Sequence, residues 1–376
     1  MKRKRFLFLR RLESFLFIVV FLSVFGFLAY RMGTTNLINT IMNTAHDLLM
    51  NTVFYIMGIT VLSGALGKLF IEFGVVRLLE YILSPLMRPL FNLPGVASLG
   101  GLMTFFSDNP AIINLARDKK FKSYFKPYEL ISLTNFGTAF GMGLIVITFM
   151  IGQGFYKGAF IGFAGATIGA CFSTRIMQHL TKKKLQKLKI EYDIPKKKYI
   201  SFKSSGNLFE RVLNSLLDGG KDGVEIGLSI IPGVLIISTF IMLITFGPEN
   251  PEIGYQGLAY EGVPILPYIA GLFKGLFKLL FGFNDSELIA FPITSLGAVG
   301  AALSLVKIFI AKKLITGNEI AVFTAMGMCW SGYLSTHTAM LDSMNFRNLT
   351  SRALISHTAG GIIAGISAHY LYLAFS

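Results

Sequence analysis

The chain alternates between long apolar stretches and short polar or charged ones, and many of the apolar stretches reach the ~20 residues that a helix needs to cross a hydrocarbon core. Residues 12–30, 44–73, 129–151, 157–180, 222–246, 319–341 and 352–375 read as full spans. Two further apolar regions are interrupted at their centres. Residues 94–117 carry Ser107-Asp108-Asn109-Pro110 in the middle, and residues 284–314 are broken by Pro292 and by Gly297-Ala-Val-Gly300. The arms on either side of each break are about half a span long, so both regions read as re-entrant hairpins with their tips at membrane depth. Residues 75–90 place charges at helical spacing beside an apolar stripe, and together with 264–283 they read as helices lying in the interface.

The order of these elements occurs twice. A span, an interfacial helix, a hairpin and two spans fill residues 44–181, and the same series fills 218–376. A basic connection, 182–217, separates the units, and residues 1–43 hold a first helix and a linker. Phe54-Tyr-Ile-Met-Gly58-Ile-Thr-Val-Leu-Ser63 aligns with Ser229-Ile-Ile-Pro-Gly233-Val-Leu-Ile-Ile-Ser238, and Glu129-Leu-Ile-Ser-Leu-Thr134-Asn-Phe-Gly137 aligns with Glu319-Ile-Ala-Val-Phe-Thr324-Ala-Met-Gly327. A unit of three full spans and a returning hairpin leaves the second copy upside down relative to the first, as in many secondary transporters. The predicted fold is an all-α polytopic membrane protein, with about seven full transmembrane helices and two re-entrant hairpins in an inverted repeat.

Composition agrees: 53% of residues are hydrophobic, only 15% are charged, and the mean hydropathy is +0.61. The net charge of +15 is carried by Lys and Arg clustered at the ends of apolar segments, where they anchor helices and set orientation, so a nucleic-acid partner is not expected. The basic N-terminus, residues 117–126 and the 182–211 loop carry the excess, while Glu249, Glu252 and Glu261 share one loop. That asymmetry places the N-terminus and the 182–211 loop in the cytoplasm and Ser376 outside, against the contrary charges of Lys274, Lys278, Lys307, Lys312 and Lys313. Arg31 closes the first apolar stretch and no small-residue cleavage site follows it, so that stretch reads as a retained signal anchor in the inner membrane of a bacterium. Cys171 and Cys329 both fall in apolar spans, which argues against a disulfide framework or a thiolate metal site.

Gly64-Ala-Leu-Gly-Lys-Leu-Phe-Ile-Glu and Ser84-Pro-Leu-Met-Arg-Pro-Leu-Phe resemble spore maturation protein A. Gly219-Gly-Lys-Asp-Gly-Val-Glu-Ile-Gly-Leu-Ser-Ile-Ile-Pro232 and Leu296-Gly-Ala-Val-Gly-Ala-Ala resemble spore maturation protein B. From residue 44 onward the chain therefore resembles a fusion of that pair, within the Gate (nucleoside recognition) superfamily that also holds the concentrative nucleoside transporters and the membrane part of the ferrous iron permease. The resemblance implies paired re-entrant hairpins meeting near the midplane, and a homo-oligomer.

Unwound backbone inside a membrane exposes N–H and C=O groups that can bind a polar solute, so the chemistry is expected at the breaks. Ser107, Asp108 and Asn109 form the more polar tip, and Asp108 is the expected ion-coupling group for a coupling cation, since a carboxylate at that depth is costly without a partner. The alternative is a capped turn, in which Asp108 only satisfies backbone amides. Asn135, Thr138, Ser295, Ser331, Ser335, Thr336 and His337 are the expected solute ligands on the surrounding segments. No cofactor is expected. His337, Asp342 and His357 lack the spacing of a metal motif, and no P-loop, GxSxG or HExxH sequence is present, so an enzyme is not expected. The sequence thus favours a secondary transporter or channel for a small polar, nucleoside-like solute. A non-transporting membrane scaffold of the spore-maturation type and a divalent metal permease are the alternatives.

Overall fold

The structure, a computed structural model, describes the backbone of residues 2–117, 119–185 and 206–376, and their side chains apart from residues 2–10, 110, 113, 114, 117, 119, 120, 334 and 335. The described residues are helical almost throughout, in nineteen α-helices. In the first half these are α1 Lys2–Met32, α2 Thr34–Asp47, α3 Phe54–Glu72, α4 Val75–Phe91, α5 Ala97–Phe106, α6 Pro110–Arg117, α7 Lys119–Lys122, α8 Pro127–Thr138, α9 Gly143–Gly152 and α10 Tyr156–Leu185. The second half adds α11 Leu208–Ser229, α12 Thr239–Leu243, α13 Ile265–Gly271, α14 Lys274–Phe281, α15 Ala290–Gly297, α16 Val299–Ala311, α17 Gly317–Cys329, α18 Tyr333–Ser343 and α19 Thr350–Phe375. Wider π turns, Leu48–Val53 and Gly233–Ser238, join α2 to α3 and link α11 to α12.

The repeat is visible element by element. At a constant shift in residue number α4 falls on α13 and α14, α8 on α17, α9 on α18 and α10 on α19. Even the helix ends agree: Asn92 after α4 and Gly282 after α14 both take left-handed backbone, with φ of 54° and 75°. Helices from the two halves run antiparallel against each other, the geometry of an inverted repeat. Gly64, Thr60 and Met57 of α3 meet Gly219, Gly223 and Gly227 of α11 in turn, with Thr60 Oγ1 donating to the Gly223 carbonyl at 2.6 Å. Gly165 and Gly169 of α10 likewise meet Ala368, Ala364 and Gly360 of α19. Small residues let the backbones approach, which is how membrane helices gain contact when lipid is as apolar as their side chains.

Both expected hairpins form. In the first, Ile112 of α6 folds back onto Gly100 of α5. In the second, Lys312 after α16 pairs with Glu287 before α15 at 3.1 Å, so the chain leaves near where it entered.

The structure adds detail to three expectations. Among the described residues, six helical stretches are long and apolar enough to span a membrane, covering 11–32, 34–72, 127–152, 156–185, 208–243 and 347–375. The other expected span, 319–341, is interrupted between Cys329 of α17 and Tyr333 of α18, just as 129–151 is interrupted between Thr138 of α8 and Gly143 of α9. Residues 34–43, read as linker, are helical. Their polar side chains are spent on the loop after α12, where Asn36 Nδ2 donates to the Tyr255 carbonyl and Asn43 Nδ2 to that of Gly257, both at 2.8 Å. Residues 208–217, read as part of the basic connection, are also helical, started by a reciprocal cap in which Asn207 and Glu210 each accept the other's backbone N–H. Within that connection, 186–205 lie outside the described residues.

The first repeat also buries a charge. Glu129 in the first turn of α8 has a side chain 1% exposed and pairs with Arg88 at 2.6 Å, while its other oxygen accepts the Lys126 N–H at 2.9 Å. Arg88→Ala strands that carboxylate, and is expected to lower stability by about 2–3 kcal/mol, less than for a fully enclosed pair because the arginine is half-exposed. Adding Glu129→Gln should recover most of the loss in melting temperature, and no recovery would show that the charge is not the cause.

Candidate solute site at the helix breaks

Each broken helix has, at its break, a glycine packed against the first hairpin tip. Between α8 and α9 the chain passes through Met142 in left-handed backbone, φ 54°. A Cβ at Gly141 would lie 2.3 Å from Asn109 Oδ1 and 2.5 Å from Ser331 Oγ. Between α17 and α18, a Cβ at Gly332 would lie 2.2 Å from Thr336 Oγ1 and 2.5 Å from Asn109 Nδ2. The first hairpin tip therefore enters between two breaks, one from each repeat, and only glycine leaves room for it.

Asn109 is the residue at the centre. It is 5% exposed, and its Nδ2 donates to Asp108 Oδ1 at 3.1 Å and to Ser331 Oγ at 3.3 Å. Ser331 Oγ in turn donates to the Thr138 carbonyl at 3.2 Å, satisfying the frayed end of α8. Asn109 Oδ1 is buried and has no hydrogen-bond partner among the described residues. A buried acceptor left open costs about 1–3 kcal/mol, so the tip favours a donor in that position.

The expected ligands divide. Asp108, Asn109, Ser331, Thr336 and the carbonyl of Thr138 come together, whereas the Thr138 hydroxyl turns back to the Thr134 carbonyl of its own helix. Ser107 ends α5 beside them. Ser295 is elsewhere: its hydroxyl bonds the Phe291 carbonyl of its own helix, and the second tip packs on α11 and the π turn after it, with Gly300 against Ile230 and Gly297 against Ile237. The two tips thus rest on different partners rather than facing each other with polar groups. Asn135 also points away from the first tip, into a second polar cluster. There its Nδ2 donates to Ser173 Oγ, Ser356 Oγ and the Ala353 carbonyl at 3.0, 2.9 and 3.0 Å. His337 belongs to this second cluster, its ring centroid 4.6 Å from that of His357. The side chain of Ser335 lies outside the described residues.

Sequence reasoning missed Gly141, Gly332, Ser173 and Ser356, and weighed His357 only as a metal ligand. A signal existed for the glycines, since Phe140-Gly-Met-Gly143 and Trp330-Ser-Gly332 interrupt corresponding spans at nearly the same point. Asp342, grouped with the histidines as a metal candidate, instead lies 3.9 Å from Arg347. Among the described residues no three His, Cys, Asp or Glu side chains gather as a metal site.

No family model and no curated protein matches the chain by sequence. Solved structures do match. The chain is similar to CNTnw in an inward-facing, substrate-bound state, with a TM-score of 0.54 and 12% identity, covering 84% of this chain and 74% of that one. A doubly substituted CNTnw in an outward-facing state gives a TM-score of 0.57 at 12% identity, over 97% of this chain and 85% of that one. The chain has a concentrative-nucleoside-transporter-like membrane fold. At this identity the likeness speaks for architecture, and the residues of the site stand on their own geometry.

Proposed function

We propose that the protein is a secondary transporter for a small polar, nucleoside-like solute, held where the first hairpin tip meets the two helix breaks. The observation that carries this reading is Asn109, inserted between breaks from opposite repeats with a buried acceptor open among the described residues. Such a junction between inverted repeats is where alternating access needs its fixed site. The similarity to CNTnw, seen substrate-bound and in more than one state, supports the same reading. Asp108 at the tip is the coupling group in this proposal, because a carboxylate at that depth is stabilised by a cation or proton. The protein works in this reading as a homo-oligomer of a bacterial inner membrane, N-terminus in the cytoplasm.

A thermal-shift screen of the purified protein against nucleosides, nucleobases, amino acids and divalent metals tests it. A nucleoside at about a hundred times its Kd should add about 2.7 kcal/mol of stability. Stabilisation by divalent metals alone would favour the metal permease instead.

A further inference from the structure

At each helix break a side chain from elsewhere donates to a carbonyl at the end of the preceding helix, where intrahelical partners run out. Ser331 does so for α8. For α17 the Cys329 carbonyl takes a short hydrogen bond from Nε2 of His357, on α19. A carbonyl only accepts, so this contact requires the His357 proton on Nε2. In the neutral ring Nδ1 then carries the lone pair, and Ser173 Oγ on α10 lies 2.9 Å from it, placed to donate. Ser173 Oγ in turn accepts from Asn135 Nδ2 on α8.

A neutral imidazole carries its proton on either nitrogen, and the hydrogen bond made at one nitrogen decides the state of the other. For His357 the Cys329 carbonyl calls for the proton on Nε2, and Ser173, held by Asn135 in the first repeat, supports the same form by offering a donor to Nδ1. The neighbouring histidine has the opposite arrangement. His337 Nδ1 donates to the Tyr333 carbonyl in a short hydrogen bond, and its Nε2 is buried without a partner among the described residues. Trp330, inside the break, donates its indole N–H to the His357 carbonyl at 3.3 Å, which ties the same residue to the break a second time.

We infer that Ser173 and Asn135 are positioning residues for the second break: together with the Cys329 carbonyl they hold His357 in the Nε2–H tautomer, which caps α17 and keeps the gap between α17 and α18 that receives the first hairpin tip. Asn135 thereby acts from behind the site, not on the solute. The functional meaning of this relay rests on the breaks being the solute site, whereas the tautomer itself does not.

Nitrogen-15 NMR of histidine-labelled, full-length protein in nanodiscs at neutral pH reads the tautomer directly. The chain has five histidines, so the His357 signals are those that disappear in His357→Gln. The expected pattern is a protonated Nε2 and an unprotonated Nδ1 in the unsubstituted protein. Ser173→Ala should move the Nδ1 signal, which loses its donor, and admit a detectable share of the other tautomer, and Asn135→Ala should do the same to a smaller extent. Ser132→Ala, which removes another buried hydroxyl of α8 that accepts from Gln178, should leave it unchanged. Protonation of His357 at Nδ1, no change in Ser173→Ala, or an equal change in Ser132→Ala would overturn the inference. Failure of the transport reading shows differently, as proteoliposomes that take up no solute while the tautomer pattern holds, and that result leaves the positioning relay standing.

Discussion

Gly332→Val is expected to remove solute uptake almost entirely from a protein that still folds. A Cβ at that position would overlap Thr336 Oγ1 and Asn109 Nδ2, so the hairpin tip must withdraw from the break. Withdrawal breaks the Asn109–Ser331 contact and separates the polar groups that the tip brings together. Losing two such contacts costs about 2 kcal/mol or more, a roughly thirtyfold or greater fall in affinity. Gly141→Val should behave alike, because its Cβ would meet Asn109 Oδ1 and Ser331 Oγ from the other repeat. Gly58→Val is the control, since no atom lies within 4 Å of a Cβ there. Normal uptake in Gly332→Val would mean that the tip does not need to sit in the break.

The largest loss of stability is expected from Gly219→Leu. Its Cβ would lie 2.3 Å from the Gly64 carbonyl oxygen and 2.8 Å from the Ala65 Cα, and these are backbone atoms that cannot rotate away. The antiparallel helices α3 and α11 would have to part along the seam that joins the repeats. Overpacking of this kind costs about 3 kcal/mol, and more where backbone must move. Melting temperature and the yield of dispersed protein after detergent extraction measure the effect. A variant as stable as the parent would show that these helices do not pack as described.

The hairpins and the repeat were readable because polarity and breaks stand out against long apolar runs. Ser107-Asp108-Asn109-Pro110 is conspicuous in residues 94–117, and the match of residues 129–137 to 319–327 fixes which elements correspond. The break at Trp330-Ser-Gly332 was not readable by the same means. Glycine and serine are common in membrane helices, and no proline or charged residue marks the point in 319–341 where the helix stops, so the break shows only where the hairpin tip arrives. Asn135 and Ser331 looked equivalent as polar residues in spans. Asn135 lies inside α8 and bonds α10 and α19 with its side chain, whereas Ser331 is at the second break and meets the Thr138 carbonyl, which is reachable only because α8 ends there. The linker reading of 1–43 did not anticipate that the asparagines of α2 bond a folded loop more than two hundred positions away in sequence.

The central claim is that the first hairpin tip holds the solute, and uptake into proteoliposomes tests it most directly. Radiolabelled nucleosides would be offered to the unsubstituted protein, to Asp108→Ala and to Asn109→Ala, with the melting temperature of each measured in parallel. The expected result is uptake by the unsubstituted protein, a roughly tenfold or greater loss in Asn109→Ala as its polar contacts go, and loss of ion dependence in Asp108→Ala. Unchanged uptake in both variants, with only their stability lowered, would make Asp108 a structural cap. Absence of uptake of any nucleoside by the unsubstituted protein would favour the non-transporting scaffold.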